Sequence, residues 1–104
     1  HVTVNVLNEY GDRIQDRDPQ LARMANLYQV GVDEMKVGQS GTLNALKGIL
    51  NSRKRQAESH GMTEFWVEVR ADRDIRYGDV QPVMQAASDA GIGMMSLTVV
   101  GEPE

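Results

Sequence analysis

The chain has 104 residues, with 11 lysine and arginine residues against 15 aspartate and glutamate residues and a formal net charge of −4 at pH 7. A chain of this length corresponds to one domain, residues 1–104, with a single hydrophobic core. Because acidic residues outnumber basic ones, the chain has no overall positive field, and we expect no nucleic-acid partner. The absence of cysteine excludes disulfides, thiolate metal sites and a cysteine nucleophile.

The first half of the chain predicts two strands around a short helix. Valine alternates with polar residues from Val2 to Val6, which is typical of a half-buried strand. Gln20–Asn26 contains good helix formers, and Leu27–Asp33 alternates well enough to be a second strand that extends across a bend towards Val37.

A first long helix follows. Apolar residues recur at helical spacing at Leu43, Leu46, Ile49 and Leu50. Ser40 or Thr42 is the predicted N-cap, and His60-Gly61 is predicted to end the helix with a left-handed glycine.

The last third predicts a strand, a helix and a second strand. The strand covers Glu64–Asp72, and the helix has apolar residues at Val80, Val83, Met84 and Ala87. Asp79 is the predicted N-cap, Gly91 ends the helix, and Met94–Val100 forms the final strand. The element order predicts an α+β fold, a small mixed β-sheet with two helices packed on one face in a split βαβ-like arrangement.

A motif across this last third resembles a known family. Its residues are Arg70-Ala71-Asp72, Tyr77-Gly78, Val80, Met84, Ala90-Gly91-Ile92 and Leu97-Thr98. In order and spacing they are similar to the C-terminal half of the ExbD/TolR biopolymer-transport proteins. The resemblance implies a periplasmic domain whose full-length protein is anchored in the bacterial inner membrane by one N-terminal helix.

The resemblance also implies a function and partners. Members of this family are non-enzymatic components of proton-motive-force-driven energy transduction that supports transport or envelope maintenance. Their membrane helix carries an acidic residue and works with an ExbB- or TolQ-like channel protein, while the soluble domain dimerises and engages a TonB- or TolA-like energy transducer. The chain begins at His1 without a methionine and contains no apolar run of roughly 20 residues, so we interpret it as an excised domain.

The predicted dimer or partner surface combines the final strand with the loop before the second helix. An edge strand can add a strand from another chain by β-augmentation, and Thr98→Pro is expected to abolish such pairing. The residues assigned to this surface are Asp72, Asp74, Tyr77, Leu97, Thr98, Val99 and Val100. The structural alternatives are a solvated turn in which the two aspartates bond local backbone N–H groups, and a Tyr77 that packs as a lid on the core.

The run Arg53-Lys54-Arg55 has two interpretations. Its charge is suited to the C-terminus of the first helix, where backbone carbonyls favour cations. The family resemblance adds a contact with anionic cell-wall polymer, peptidoglycan, as the other interpretation.

No catalytic, cofactor or metal site is predicted. His1 and His60 lack metal-ligand spacing, and Gly38–Thr42 lacks the lysine of a phosphate-binding loop. The alternative function is a small-molecule-binding regulatory domain, since ferredoxin-like α+β folds of this size host such modules.

Overall fold

A computed structural model describes residues 1–8 and 23–100. Within these residues lie five strands and two helices. They are β1 (Val2–Leu7), β2 (Leu27–Val30), β3 (Asp33–Lys36), α1 (Thr42–Ser59), β4 (Trp66–Asp72), α2 (Tyr77–Asp89) and β5 (Met94–Val100).

The strands form one mixed sheet in the order β3-β2-β1-β4-β5. β1–β2 and β2–β3 are antiparallel pairs, whereas β1–β4 and β4–β5 are parallel. Each parallel pair is joined through a helix, as the βαβ connection requires. The predicted fold class, an α+β sheet with two helices packed against it, is confirmed.

The core lies between the helices and one face of the sheet. Alternate residues of β1 and β4 point to this face, and Val4 pairs with Val69 at its centre with neither side chain exposed. Leu46 and Leu50 of α1 and Val83 of α2 are equally buried against them. The predicted apolar positions are therefore buried at Leu46, Leu50 and Val83, whereas Leu43, at the start of the predicted face of α1, is 45% exposed.

The second predicted strand is two strands. Val30 pairs with Asp33 across a two-residue turn at Gly31-Val32, and Gly31 has a φ of 59°. A glycine at positive φ in a two-residue turn is typical of a hairpin, so the bend expected before Met35 is a complete reversal of the chain. Residues 23–26 are not helical, and the rest of the helix predicted over Gln20–Asn26 lies outside the described residues.

The N-terminus of α1 is capped differently from the prediction. Gly41 is the N-cap in a left-handed conformation, and no side chain caps the helix. The Thr42 hydroxyl instead donates to the backbone oxygen of Lys36 at 2.7 Å. This bond links the helix to the end of β3, and the predicted capping role of Ser40 or Thr42 is wrong.

Both helices end in the predicted way. Gly61 and Gly91 have φ values of 83° and 86°. The amide of Ile92 donates to the oxygen of Ala87 at 3.0 Å, and after Gly61 the amide of Met62 donates in the same way to the oxygen of Ala57 at 3.1 Å. These are the backbone bonds of the Schellman motif, and Ile92 is buried where the motif expects an apolar contact.

The basic run in α1 does not serve the C-terminus of its own helix. Because α1 continues to Ser59, its last turn contains no basic residue. Lys54 Nζ lies instead beside Gly91, 3.1 Å from the position that a Cβ there would occupy. Asn51 Nδ2 donates to the oxygen of Ala90 at 3.3 Å. The interpretation of Arg53-Lys54-Arg55 as a complement to the C-terminus of α1 is therefore wrong, since none of the three residues lies in the last turn of that helix.

Gly91→Ala is expected to lower the free energy of unfolding by about 1–2 kcal/mol, the cost of a left-handed conformation with a Cβ. The new methyl group would also press on Lys54. Gly93→Ala is the matched control, because a Cβ at Gly93 meets no atom within 4 Å. Equal urea midpoints for the two variants would contradict the assignment of Gly91 as the residue that ends α2.

Candidate functional site

β5 forms one edge of the sheet. In the described part of the chain it pairs with β4 alone, in a parallel register that joins Val69 to Leu97 and Ala71 to Val99. The other edge, β3, has four residues, of which Asp33, Glu34 and Lys36 are charged. β5 has seven residues and no charge. Charged, short edges resist unwanted pairing, so within residues 1–8 and 23–100 β5 is the edge that is open to another strand.

The backbone of β5 alternates between β4 and the open edge. The amide of Arg73 donates to the oxygen of Val100 at 2.9 Å, which fixes the direction in which Val100 points its N–H and C=O. Residues at even positions, including Thr98, therefore direct these groups towards β4. The odd positions, Leu97 and Val99, direct theirs outwards. Outward groups of this kind are what an added strand pairs with.

The helix-facing side of β5 is apolar but poorly covered. Leu97 and Val99 share the face of the buried residues Val69 and Ala71, yet they are 43% and 59% exposed. The reason is that α2 packs over β4 and β1 and does not cover β5, the outermost strand. A further element placed against β5 would bury both side chains.

The opposite face of the sheet links β5 to its neighbours through one carboxylate. Glu68 in β4 accepts hydrogen bonds from the hydroxyl of Thr3 at 3.2 Å and from that of Thr98 at 2.8 Å. Of the residues assigned to the partner surface, Thr98 thus has its amide directed towards β4 and its hydroxyl bonded to Glu68 on the face away from the helices. These bonds hold β5 against β4, whereas Leu97 and Val99 have exposed side chains and outward backbone groups.

The loop between β4 and α2 is held by backbone bonds. The amide of Ile75 donates to the oxygen of Asp72 at 2.9 Å, and Asp74 lies 4.0 Å from the Arg73 guanidinium in an exposed ion pair. Within the described residues, neither aspartate side chain accepts a backbone hydrogen bond. Both carboxylates are exposed at the end of the sheet where β5 finishes.

Tyr77 begins α2 and is 61% exposed, with its hydroxyl 4.0 Å from the sulfur of Met84. The predicted lid on the core is therefore wrong. The ring adds exposed aromatic surface at the start of α2, close in sequence to the loop carboxylates. This exposure agrees with the other assignment of Tyr77, to the partner surface.

Asp79 organises the start of α2 but does not cap it, because the N-cap is Arg76. One carboxylate oxygen accepts the amide of Ala25 at 2.9 Å, and both oxygens lie within 3.4 Å of the Arg76 guanidinium. The hydroxyl of Tyr28 donates to the backbone oxygen of Asp79 at 3.3 Å. These contacts join the residues before β2 to the base of the loop. Sequence reasoning missed the bonds that join Ala25 and Tyr28 to Asp79, because local spacing carries no signal for partners so far apart in the chain.

Burial raises the pKa of Tyr28, and the negative charge of Asp79 raises it further. Because the unfolded chain releases this proton first, near pH 10, stability is retained below that pH and falls as the pH rises through the higher folded value. Tyr28→Phe is expected to flatten the alkaline fall in the urea midpoint. The exposed Tyr77→Phe is the control and should keep the wild-type slope; a Tyr28→Phe profile identical to wild type would contradict the coupling.

No cluster of three or more histidine, cysteine, aspartate or glutamate side chains suited to a metal ion occurs in residues 1–8 and 23–100. Neither helix in that part of the chain combines the length and apolar character needed to cross a bilayer. Comparisons of the chain with models of protein families, with curated proteins and with solved structures found no match.

Proposed function

We propose that this chain is an ExbD/TolR-like periplasmic domain, a non-enzymatic part of a proton-motive-force-driven system in the inner membrane. The observation that carries the proposal is the open, uncharged edge at β5. The motif residues support it, because they belong to the unit that builds this edge. Arg70-Ala71-Asp72 forms the last three residues of β4, Ala90-Gly91-Ile92 directly follows α2, and Leu97-Thr98 lies in β5.

The domain acts by pairing with an extended segment of another chain. The outward N–H and C=O groups of Leu97 and Val99 bond the added strand, and its apolar side chains cover theirs. Asp72, Asp74 and Tyr77 lie near the C-terminal end of β5. They contact the added segment where it leaves the sheet. A second copy of the domain and a TonB- or TolA-like transducer compete for the same edge, and this competition couples the membrane channel to work at the outer membrane or cell wall.

The coding sequence upstream of His1 is the first test of this function. We expect a single apolar span of roughly 20 residues that carries one acidic residue, which would join the domain to a proton channel. A soluble enzyme or regulatory domain encoded there would contradict the proposal.

Crosslinking in cells tests the coupling itself. With a photo-crosslinking amino acid at position 97 of the full-length protein, we expect crosslinks to a second copy and to an energy transducer, in a ratio that changes when a protonophore collapses the proton gradient. Position 32 is the control, because Val32 is 94% exposed at the β2–β3 turn, away from β5. Equal crosslinking at both positions, or no response to the protonophore, would contradict the mechanism.

Leu97→Lys is expected to weaken association at the edge at least tenfold, because a lysine on an edge strand opposes pairing. Leu97 is exposed, so we expect the stability of the isolated domain to change by about 0.5 kcal/mol or less. Val32→Lys makes the same change at another exposed apolar residue and should leave association unchanged. Sedimentation equilibrium measures the constants; a Leu97→Lys variant that associates like Val32→Lys would remove β5 as the contact.

A further inference from the structure

A groove separate from the β5 edge lies at the end of the sheet where β1 and β4 begin, opposite to the end that carries the β4–α2 loop. It runs between the C-terminal half of α1 and the residues where β1 and β4 begin, and has a volume of about 250 Å³. Val2, Ala57 and Phe65 supply apolar walls, and Met62 lies beside them. A cavity of roughly 150 Å³ holds a benzene ring, so this groove has room for a ring and a short polar group.

The charge that lines the groove is the guanidinium of Arg53, among neutral polar residues. Arg53, Gln56, His60 and His1 line it, and no acidic side chain does so among the described residues. This is notable in a chain with a net charge of −4. The groove is therefore electrostatically suited to an anion and unsuited to a cation.

Arg53 has no carboxylate partner among the described residues. Its guanidinium reaches the β2–β3 turn, where it lies 3.2 Å from the position that a Cβ on Gly31 would occupy. The two ion pairs of the described residues involve Arg73 and Arg76, so Arg53 is not neutralised by an acid there. A planar guanidinium beside an apolar wall binds a carboxylate through two parallel hydrogen bonds.

His60 presents a defined ring nitrogen. Its Nδ1 lies 2.8 Å from the backbone oxygen of Gln56, and because a carbonyl oxygen only accepts, Nδ1 carries the proton. Nε2 is then the ring nitrogen left to interact with a ligand or water. The ring of His1 stacks on Trp66, with centroids 4.3 Å apart, and Trp66 does not line the groove.

We propose that this groove binds a small organic acid, with its carboxylate on Arg53 and its apolar group against Phe65 and Ala57. The guanidinium supplies the charge, and the apolar walls select acids that carry a hydrophobic group. The site does not depend on strand pairing at β5, since it uses α1 and the beginnings of β1 and β4. Its failure would leave the proposed function unaffected.

The test is a titration of the ¹⁵N-labelled chain with 4-phenylbutyrate, with the uncharged 4-phenylbutyramide as the matched control ligand. We expect saturable amide shifts confined to the groove and a dissociation constant on the order of 1 mM for a ligand of this size. The amide should bind at least tenfold more weakly. N-acetyl-leucyl-leucine, as a second probe, distinguishes a peptide C-terminus from a free acid.

Two variants assign the binding to the groove. Arg53→Gln is expected to weaken 4-phenylbutyrate binding at least tenfold, whereas Arg55→Gln, an exposed change on the same helix that does not line the groove, should leave it unchanged. Both residues are exposed, so both variants should keep the dispersed spectrum of the folded chain. Equal binding of acid and amide, equal effects of the two variants, shifts scattered over the surface, or no saturable binding would each overturn the proposal.

Discussion

Val99→Pro is expected to weaken pairing through β5 at least tenfold while the domain stays folded. The N–H of Val99 points away from β4, so proline removes a donor that only an added strand uses. Proline is tolerated on an edge strand for the same reason. Sedimentation equilibrium would measure the loss of association, and circular dichroism would confirm that the fold is retained.

Thr98→Pro, one residue away, should instead destabilise the domain itself. Its N–H points towards β4 and its hydroxyl bonds Glu68, so proline breaks the internal ladder and leaves a β4 carbonyl unpaired. We expect a loss of about 1–3 kcal/mol in the free energy of unfolding. Association lost in this variant would therefore say nothing about the edge. Two variants with the same stability and the same association would contradict the alternation assigned to β5.

Leu46→Ala is expected to cause the largest loss of stability, about 2–5 kcal/mol. The side chain of Leu46 is fully buried between α1 and the sheet, and its removal leaves a cavity that the surrounding strands cannot fill. For a domain of this size the melting temperature should fall by more than about 8 °C. Thermal unfolding followed by circular dichroism at several wavelengths would measure the change.

Leu43→Ala is the control for this core prediction, because Leu43 lies one turn earlier on the same helix and is 45% exposed. We expect its loss to be about 1 kcal/mol or less, since little apolar surface is newly exposed. Equal losses at the two positions would mean that the helix packs in another orientation.

Local pattern predicted the elements of this fold well. The valine alternation of β1 and the glycines at 61 and 91 each act within a few residues, and the structure agrees with them. The predicted apolar face of α1 is buried at Leu46 and Leu50 but not at Leu43, which is 45% exposed. The hairpin at Gly31-Val32 was missed because a continuous alternation of apolar residues describes one long strand as well as two short ones.

The order and register of the strands could not be predicted from local sequence patterns. That β5 lies at an edge depends on the strand order, and the direction of the Thr98 amide depends on its register with β4. Lys54 contacts the end of α2 because two helices pack side by side, which no spacing within α1 indicates. The candidate surface could therefore be assigned to a strand from the sequence, but not to particular backbone groups of that strand.

Hydrogen exchange of single amides in β5 is the measurement that tests the central claim most directly. In dilute solution the amides of Leu97 and Val99 should exchange rapidly, and those of Ser96 and Thr98 slowly, because only the latter are directed towards β4. When the domain is concentrated or mixed with its partner segment, we predict protection of Leu97 and Val99. Association that leaves these two amides exchanging as fast as before would contradict pairing through β5.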